Sequence, residues 1–318
     1  MNDAARDTTL TLSIAAVERD TGLSKDTLRV WERRYGFPAP GRDGVGERAY
    51  PLVQVEKLRV VKRLLDAGHR PGRVVPLPLD ALQQLADQTV DQPQRGTEAL
   101  LGTDDVREHL ELIRSHDVAG LRSALTHLLA RVGVARFVLE GVAPLSTAVG
   151  DAWMRGQMEV FEEHVYTEVV QTVLRQAISG IPAAGDAARP RVLLTTFPGE
   201  PHGLGLLMAQ AMFALDGCHC ISLGLQTSVW DTVLAARAYR ADVVGLSFTG
   251  CMNPNQIVAG LGELAAKLPP TVQVWAGGSA PVLHRRSVPR VRALASFDAL
   301  AGELQRWRQA AAAAASPT

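Results

Sequence analysis

The spacing of apolar residues divides the chain into three segments of different character. In residues 9–76, short helical periods alternate with breaks that contain Gly or Pro. In residues 104–182 apolar positions recur at helical spacing, and in residues 190–312 short apolar runs with strand character alternate with helical periods. The stretch 77–103 is polar and contains Pro, which indicates a linker. We therefore expect three domains.

The first segment predicts a helix-turn-helix followed by a wing. A short helix over Ile14–Asp20, a Gly-containing turn and a second helix over residues 24–35, with Ser24 as the N-cap, follow one another. Residues 36–51 are rich in Gly and Pro and are expected to form the wing. A longer helix is predicted over about Val53–Ala67.

The middle segment predicts a small bundle of four helices. Its helical periods are interrupted by polar or Gly-containing breaks at His116–Gly120, Gly133 and Gly156. Short connections between helices of this length favour antiparallel packing around one apolar core. We expect a four-helix-bundle domain over 104–182.

The third segment predicts a doubly wound parallel sheet, so that the whole chain is multidomain, α and α/β. Strands are expected at Val192–Thr196, Cys220–Leu225, Val243–Phe248, Val272–Ala276 and near Val291–Ala295. Helices are expected at about Gly203–Leu215, Ser228–Tyr239, Asn255–Lys267 and Phe297–Ala311. Ligands of such Rossmann-like folds bind at the carboxyl ends of the strands.

Composition changes this picture little. Lys/Arg and Asp/Glu balance at 33 each, but residues 1–75 hold 14 basic and 10 acidic residues, which is compatible with a DNA-binding head on an acidic body. Three cysteines are too few for a disulfide framework, and the Cys218-His219-Cys220 run offers too few ligands on one strand face to close a metal site. No apolar run is long enough for a bilayer and no secretory signal is evident, so we expect a cytoplasmic protein.

The second predicted helix carries basic residues on one arc, as a recognition helix would. Arginines in this helix and in the wing could contact base edges or phosphates. A solvated basic helix of an unrelated domain would, however, have the same pattern of basic residues. The string LRVWERRYGFPAP within residues 10–75 resembles the MerR family of transcription regulators, in particular the branch that senses light or cobalamin. The resemblance implies binding to operator double-stranded DNA through Lys25, Thr27, Arg29 and Arg33 of the helix and Arg42, Arg48 and Tyr50 of the wing.

An exposed loop after the first strand of the sheet carries His202, two residues after Glu200. Taken alone, such a histidine is more often a loop residue without special function. A carboxylate that holds one ring nitrogen is, however, the usual support of a metal-binding imidazole. One imidazole without further protein ligands suits a metal already held by a macrocycle better than it suits zinc.

The spacing between three short sequence blocks then favours a corrinoid as the ligand. Forty-one residues separate Gly205 from Ser247, and 27 separate Thr249 from Gly277. The Glu-x-His-x-x-Gly, Ser-x-Thr and Gly-Gly blocks resemble the cobalamin-binding domains of methionine synthase and the adenosylcobalamin mutases, which usually carry Asp where this chain has Glu200. The resemblance implies His202 as the lower axial ligand of cobalt, with a cofactor site formed by Glu200, His202, Gly203, Gly205, Ser247, Thr249, Gly277 and Gly278.

The bundle carries Trp153 and, after nine intervening residues, Glu163-His164. A core aromatic and a solvated helix face are the simplest interpretation of these residues. The pattern resembles the CarH/LitR photoreceptor family, which implies that Trp153 covers the adenosyl group of adenosylcobalamin while Glu163 and His164 support it. Met154 departs from family members that have a histidine beside the tryptophan, so a second cobalt ligand after illumination is not indicated.

The resemblance implies a light-responsive regulator, and a repressor in particular. It would bind its operator as an adenosylcobalamin-dependent homodimer or homotetramer and leave the DNA when light cleaves the cobalt–carbon bond. The alternative is a MerR-type regulator that senses cobalamin or another ligand without photochemistry. An enzyme, such as a corrinoid methyl carrier or mutase subunit, is disfavoured because no segment is free to form a catalytic barrel. Membrane partners are not expected.

Overall fold

A computed structural model of the chain describes residues 10–90, 102–185 and 187–315. These residues fall into two compact units, which are described separately. The first unit comprises residues 10–90, called the head below, together with 150–159, and the second comprises the remaining described residues. Within the described ranges, no helix has both the length and the apolar content that are needed to cross a bilayer.

The head begins with the predicted helix-turn-helix and wing. Ser13 and Ser24 cap the first two helices by accepting hydrogen bonds from backbone N–H groups, and Gly22 and Gly36 end these helices in the left-handed conformation. Its elements are β1 (Thr11–Ser13), α1 (Ile14–Thr21), α2 (Lys25–Tyr35), β2 (Gly41–Arg42), β3 (Arg48–Pro51), α3 (Leu52–Asp66), α4 (Pro71–Val74) and α5 (Leu79–Val90).

The wing is a small antiparallel sheet that is anchored in the head's core. Its strand order is β1-β3-β2, so that β3 lies in the middle. Leu28 and Trp31 of α2 are buried together with Leu58 of α3, as their helical spacing predicts. The predicted winged helix-turn-helix fold is confirmed.

Part of the expected linker 77–103 is structured. Residues 79–90 form helix α5, which packs against α3. The reason is the three- and four-residue spacing of Leu79, Leu82 and Ala86, which places apolar side chains on the face that meets the head's core. The head therefore extends beyond the residue 76 at which we expected it to end, and residues 91–101 of the linker lie outside the described residues.

The second unit begins with the helical domain that the middle segment predicts. Its elements are α6 (Thr103–Arg114), α7 (Val118–Val132), α8 (Val134–Arg136), a π-helical turn (Phe137–Val142), α9 (Ala143–Met154, whose last residues belong to the first unit) and α10 (Val160–Ser179). The expected breaks occur at His116, which has φ 59°, and at Gly133, which has φ 79°. Helix α10 packs against α7, and the two bury Leu125 and Val170 among other apolar residues.

The sheet domain is the predicted parallel α/β fold. Its elements are β4 (Arg191–Thr195), α11 (Leu204–Leu215), β5 (His219–Ser222), α12 (Val229–Ala238), β6 (Val243–Ser247), α13 (Pro254–Lys267), β7 (Gln273–Gly277), α14 (Val282–Arg285), β8 (Val291–Ala293) and α15 (Phe297–Ala315). Alternate residues of β4 face two separate apolar cores: Leu193 faces one, and Val192 and Leu194 face the other. Both faces of the sheet are thus covered by helices.

The strand order positions the candidate site. All neighbouring strands are parallel, and the order is β5-β4-β6-β7-β8. The connections after β4 and after β6 leave in opposite directions, so the chain reverses its direction of winding between these two strands. A crevice opens at such a point beside the carboxyl ends of the strands, and the loops after β4 and β6 carry His202 and Thr249.

Candidate cofactor site and nucleic-acid interface

The loop between β4 and α11 holds a fully buried carboxylate. Glu200 has no exposed surface, and its backbone carbonyl accepts a 2.7 Å hydrogen bond from Thr196 Oγ1. Gly199 precedes it with φ +90°, a conformation that side chains rarely adopt. The tight turn directs the Glu200 side chain inward and leaves the next residues at the surface.

The Glu200 carboxylate joins the loops that follow β4 and β6. Its Oε2 accepts hydrogen bonds from Thr249 N at 2.7 Å and from Thr249 Oγ1 at 2.9 Å, and its Oε1 lies 2.7 Å from His202 Nδ1. Burial alone would raise the pKa of Glu200, but the hydrogen bonds from His202 and Thr249 lower it overall. Glu200 is thus held as an anion behind the imidazole.

The second ring nitrogen of His202 is not used by the polar network around Glu200. The side chain is 53% exposed, and Nε2 forms no hydrogen bond with any residue in the described ranges. Hydrogen bonding to Cys251, and then to Glu200, raises the pKa of His202 to about 10. A ring whose Nδ1 is fixed by a carboxylate and whose Nε2 has no protein partner suits the axial position of a metal held by a macrocycle, and such a metal would displace the Nε2 proton that the raised pKa retains.

Cys251 is a site residue that the sequence analysis did not identify. Its Sγ lies 3.3 Å from Glu200 Oε1, 3.6 Å from His202 Nδ1 and 3.1 Å from Thr249 Oγ1. It follows Thr249 by two residues in the loop after β6. Its position in a strand-to-helix loop at the ligand-facing end of the sheet was the available signal.

Small residues bring the three predicted blocks together. A Cβ atom on Gly205 would lie 3.0 Å from Ser247 Oγ, so the start of α11 approaches the end of β6 closely. Ser247, which is almost fully buried, is paired in register with Gly277 of β7. The Ser-x-Thr and Gly-Gly blocks are therefore neighbours at one edge of the sheet, as their strand-end positions predict.

Close contacts with other loops explain why residues 203 and 278 are glycines. A Cβ on Gly278, which has φ +110°, would lie 2.1 Å from the Phe248 carbonyl oxygen, so only glycine fits this connection. A Cβ on Gly203 would press on the flexible Leu225 side chain at 2.9 Å. Close packing between loops accounts for both glycines, whatever ligand they also approach.

The predicted cap residues are distributed over the two units. Trp153 belongs to the first unit, where its half-buried ring lies 4.8 Å from the guanidinium carbon of Arg63. Met154 packs against the apolar core of the head. Trp153 is therefore held by residues of the head, which its position in the sequence did not indicate.

Glu163 and His164 belong to the second unit, in the first half of α10. Glu163 accepts a 2.8 Å hydrogen bond from Thr167 Oγ1, one turn further along the helix. His164 is 71% exposed, and its Nε2 lies 3.7 Å from Glu163 Oε2. Both side chains are accessible to a ligand, although these contacts are also those of a solvated helix face.

Helix α2 presents the predicted recognition residues at its solvated surface. Arg29 is half exposed and lies 3.1 Å from Asp26, whereas Arg33 is exposed. Lys25 lies 3.6 Å from Glu18, and the Thr27 hydroxyl lies 2.8 Å from that of the N-cap Ser24. Exposed surface ion pairs of this kind are weak and can yield to a phosphate.

The wing differs from expectation at one residue. Arg42 is exposed and donates to the Gly46 carbonyl at 2.7 Å, and Arg48 pairs with Glu32 at 3.0 Å. Tyr50, which we expected to contact DNA, is completely buried in the head's core. Residues of a strand alternate between two faces, and in β3 the face that carries Tyr50 meets α3 rather than solvent. Tyr50 therefore supports the wing in this structure and does not reach DNA.

Comparison with known proteins agrees with this arrangement. Residues 12–75 match the MerR HTH regulatory protein family, and residues 106–178 and 190–306 each match a B12 binding domain. The chain is 29% identical over 278 residues to the HTH-type transcriptional repressor CarH of Myxococcus xanthus, which covers 85% of this chain and 89% of CarH. It is 28% identical over 281 residues to the repressor CarA of the same organism, covering 88% and 90% of the two chains.

A solved structure shares part of the fold of this chain. The Methanosarcina barkeri monomethylamine corrinoid protein superimposes with a TM-score of 0.50, and the match covers 64% of this chain and all of that protein. The two sequences are 16% identical, so this likeness concerns the fold alone. The predicted combination of a helix-turn-helix head, a helical domain and a Rossmann-like cobalamin-binding domain is confirmed.

Proposed function

We propose that this chain, which matches the MerR HTH family in residues 12–75 and B12 binding domains in residues 106–178 and 190–306, is a light-responsive transcriptional repressor that uses adenosylcobalamin. The observation that carries the proposal is the open Nε2 of His202, backed by the buried Glu200 carboxylate at the edge of the sheet. His202 would hold the cobalt from below. The cofactor would contribute a cobalt–carbon bond that light cleaves.

The surroundings of His202 suit a corrinoid tail that enters beside the sheet. Ser247 and Thr249 supply hydroxyl groups at the carboxyl end of β6, and Gly277 lies beside Ser247 without a side chain. Gly205 lies close to the Ser247 hydroxyl, with no side chain between them. These residues would bind and orient the cofactor, while Trp153, with Glu163 and His164, would cover its upper face.

Repression would depend on oligomer formation. A ligand stabilises the state that binds it best, so adenosylcobalamin would favour a dimer or tetramer if that assembly holds it more tightly than the single chain does. Two or more heads on one assembly bind paired operator sites with an avidity that a single head lacks. Release of the adenosyl group in light would remove that advantage and lower the affinity for DNA.

The presence of the head disfavours an enzymatic function. Corrinoid methyl carriers and mutase subunits act with a catalytic partner domain, whereas the described residues outside the two B12-binding matches belong chiefly to the head. Arginines at the surface of α2 and in the wing fit phosphate and base contacts. Operator binding is the function that these residues support.

One observation favours a second candidate, a regulator that senses cobalamin without photochemistry. Some members of the photoreceptor family have a histidine near the tryptophan that can bind cobalt, whereas this chain has Met154 directly after Trp153, and Met154 packs against the core of the head. A thioether committed to packing is poorly suited to capture cobalt once the adenosyl group has left.

Gel filtration separates the two candidates. The full chain is loaded with adenosylcobalamin in the dark, and its elution volume is compared before and after green light, with hydroxocobalamin-loaded protein as the control. A photoreceptor elutes as a larger species in the dark and as a smaller one after illumination. Identical volumes would refute photoregulation and leave the cobalamin-sensing alternative.

A further inference from the structure

Three different ligand atoms converge below the exposed face of His202. Glu200 Oε1, His202 Nδ1 and Cys251 Sγ all lie within 4.8 Å of one another. The oxygen–nitrogen, oxygen–sulfur and nitrogen–sulfur distances are 2.7, 3.3 and 3.6 Å. The corrinoid role described above uses the imidazole and the carboxylate, but it leaves the thiol without a function.

These distances are close to those of a tetrahedral zinc site. With bonds of about 2.0–2.1 Å to N and O and about 2.3 Å to S, ligand atoms around Zn²⁺ are about 3.3–3.6 Å apart. The two distances that involve Cys251 Sγ already have this length. The distance between Glu200 Oε1 and His202 Nδ1 must increase by roughly half an ångström. A small rotation of the half-exposed imidazole would supply that change, and solvent would occupy the fourth position.

The carboxylate is positioned for such a cation. Glu200 is fully buried, and Thr249 N holds its Oε2, while Thr249 Oγ1 lies 2.9 and 3.0 Å from Oε2 and Oε1. Oε1 also accepts a 3.2 Å hydrogen bond from His202 N, and it faces the imidazole and the thiol. We propose that Glu200, His202 and Cys251 form a second metal site, which takes Zn²⁺ or a similar thiophilic divalent cation in the corrinoid-free protein. The mixed N, O and S donor set favours zinc over magnesium or calcium.

Zinc and cobalt would compete for the same imidazole. Zinc binding to Nδ1 releases the Nδ1 proton and the thiol proton to solvent, without a change of oxidation state. A neutral imidazole has one lone pair on nitrogen, so zinc on Nδ1 leaves a proton on Nε2 and blocks axial ligation. Cobalt on Nε2 in turn keeps a proton on Nδ1, which is donated to Glu200. The competition rests on the proposed corrinoid function, whereas the zinc site does not.

The metal site is tested on the corrinoid-free full chain. Zinc affinity is measured by competition with a chromophoric chelator for wild type, Cys251→Ala and Cys220→Ala. The control, Cys220, is a partly buried thiol on β5 with a pKa raised to about 12 by burial. We expect Cys251→Ala to weaken zinc binding at least tenfold and Cys220→Ala to leave it unchanged. Equal affinities for wild type and Cys251→Ala would overturn the site.

Cobalt(II) serves as a spectroscopic probe of the ligands. Wild type with added Co²⁺ should show thiolate-to-metal charge-transfer absorption that Cys251→Ala lacks and Cys220→Ala keeps. Absence of this absorption in wild type would show that the thiol is not a ligand. This readout needs no corrinoid, so it stands even if the proposed regulatory function fails.

The competition is tested by titrating adenosylcobalamin in the dark with and without zinc. Zinc should lower the apparent corrinoid affinity of wild type at least tenfold and that of Cys251→Ala little, and a chelator should restore it. If saturating zinc leaves the corrinoid affinity of wild type unchanged, the proposed competition is refuted. Corrinoid binding that is unchanged in His202→Ala would instead refute the proposed axial ligand.

Discussion

The two side chains expected on opposite faces of a corrin have very different surroundings. His202 lies in a polar network in which a buried carboxylate, a backbone N–H and a hydroxyl fix one ring nitrogen and leave the other open. Trp153 instead lies against a buried arginine of the head. The proposed lower ligand is thus oriented by hydrogen bonds within the sheet domain, whereas the proposed cap tryptophan contacts an arginine of the head.

The arginine beside Trp153 is unusual. Arg63 is 5% exposed, and burial lowers its pKa to about 10. Within the described parts of the chain, its Nε and Nη1 atoms have no hydrogen-bond partner. The indole face is thus a principal contact of this cation, and such contacts strengthen when they are removed from water. If Trp153 covers the corrin as proposed, a corrin on the same face of the indole would displace this contact.

The largest effect of a substitution in this comparison is expected at Glu200. Glu200→Gln keeps the shape but removes the charge that orients His202, so dark adenosylcobalamin affinity should fall by about ten- to a hundredfold, as for other carboxylates that support a metal-binding histidine. Equilibrium dialysis measures the change. The control is Glu263→Gln, an exposed carboxylate of α13 that pairs with Lys267. A twofold effect or less would show that the polar network does not prepare the site.

The second effect concerns Trp153. Trp153→Ala should weaken adenosylcobalamin binding by about tenfold, because an indole covering an adenosyl group contributes on the order of 1 kcal/mol beyond its buried area. Hydroxocobalamin, which lacks the adenosyl group, should bind the variant and wild type alike. Trp230→Ala, at an exposed position of α12, is the matched control. Equal losses for both corrinoids would contradict an adenosyl-covering role.

The smallest effect is an increase in affinity. Arg63→Met removes the cation that contacts Trp153 while retaining the apolar volume, and it should raise dark adenosylcobalamin affinity about threefold to tenfold by freeing the indole. Lys62→Met changes the neighbouring residue, which pairs with Asp66, and should have no effect. Unchanged affinity in Arg63→Met would mean that the head does not restrain Trp153.

The sequence indicated which residues lie close to His202 more directly than it indicated the surroundings of Trp153, for physical reasons. His202 lies in the loop after β4, and Ser247 and Gly277 end β6 and β7. The carboxyl ends of parallel strands lie on the same side of a sheet, so position along the chain determines which of these residues are neighbours. The environment of Trp153 depends on how the end of α9 packs against α3, which no local pattern specifies. Cys251 was missed because the conformation of its loop brings it to Glu200.

The head shows the same limit on a smaller scale. Helices α1 and α2 begin at serine caps and end at glycines, and those local signals located both helices correctly. Tyr50 was assigned to DNA although it is buried, because a short strand gives little indication of which face meets the core. Helix α5 was missed because the polar, Pro-containing residues that follow it suggested an unstructured linker.

The most direct test of the account is the visible spectrum of the full chain loaded with adenosylcobalamin in the dark, recorded for wild type and His202→Ala. We predict that wild type shows cobalt with an axial imidazole from the protein. His202→Ala should elute without corrinoid or show cobalt without that ligand. Identical corrinoid content and identical spectra for the two proteins would contradict the assignment of His202 as the lower axial ligand.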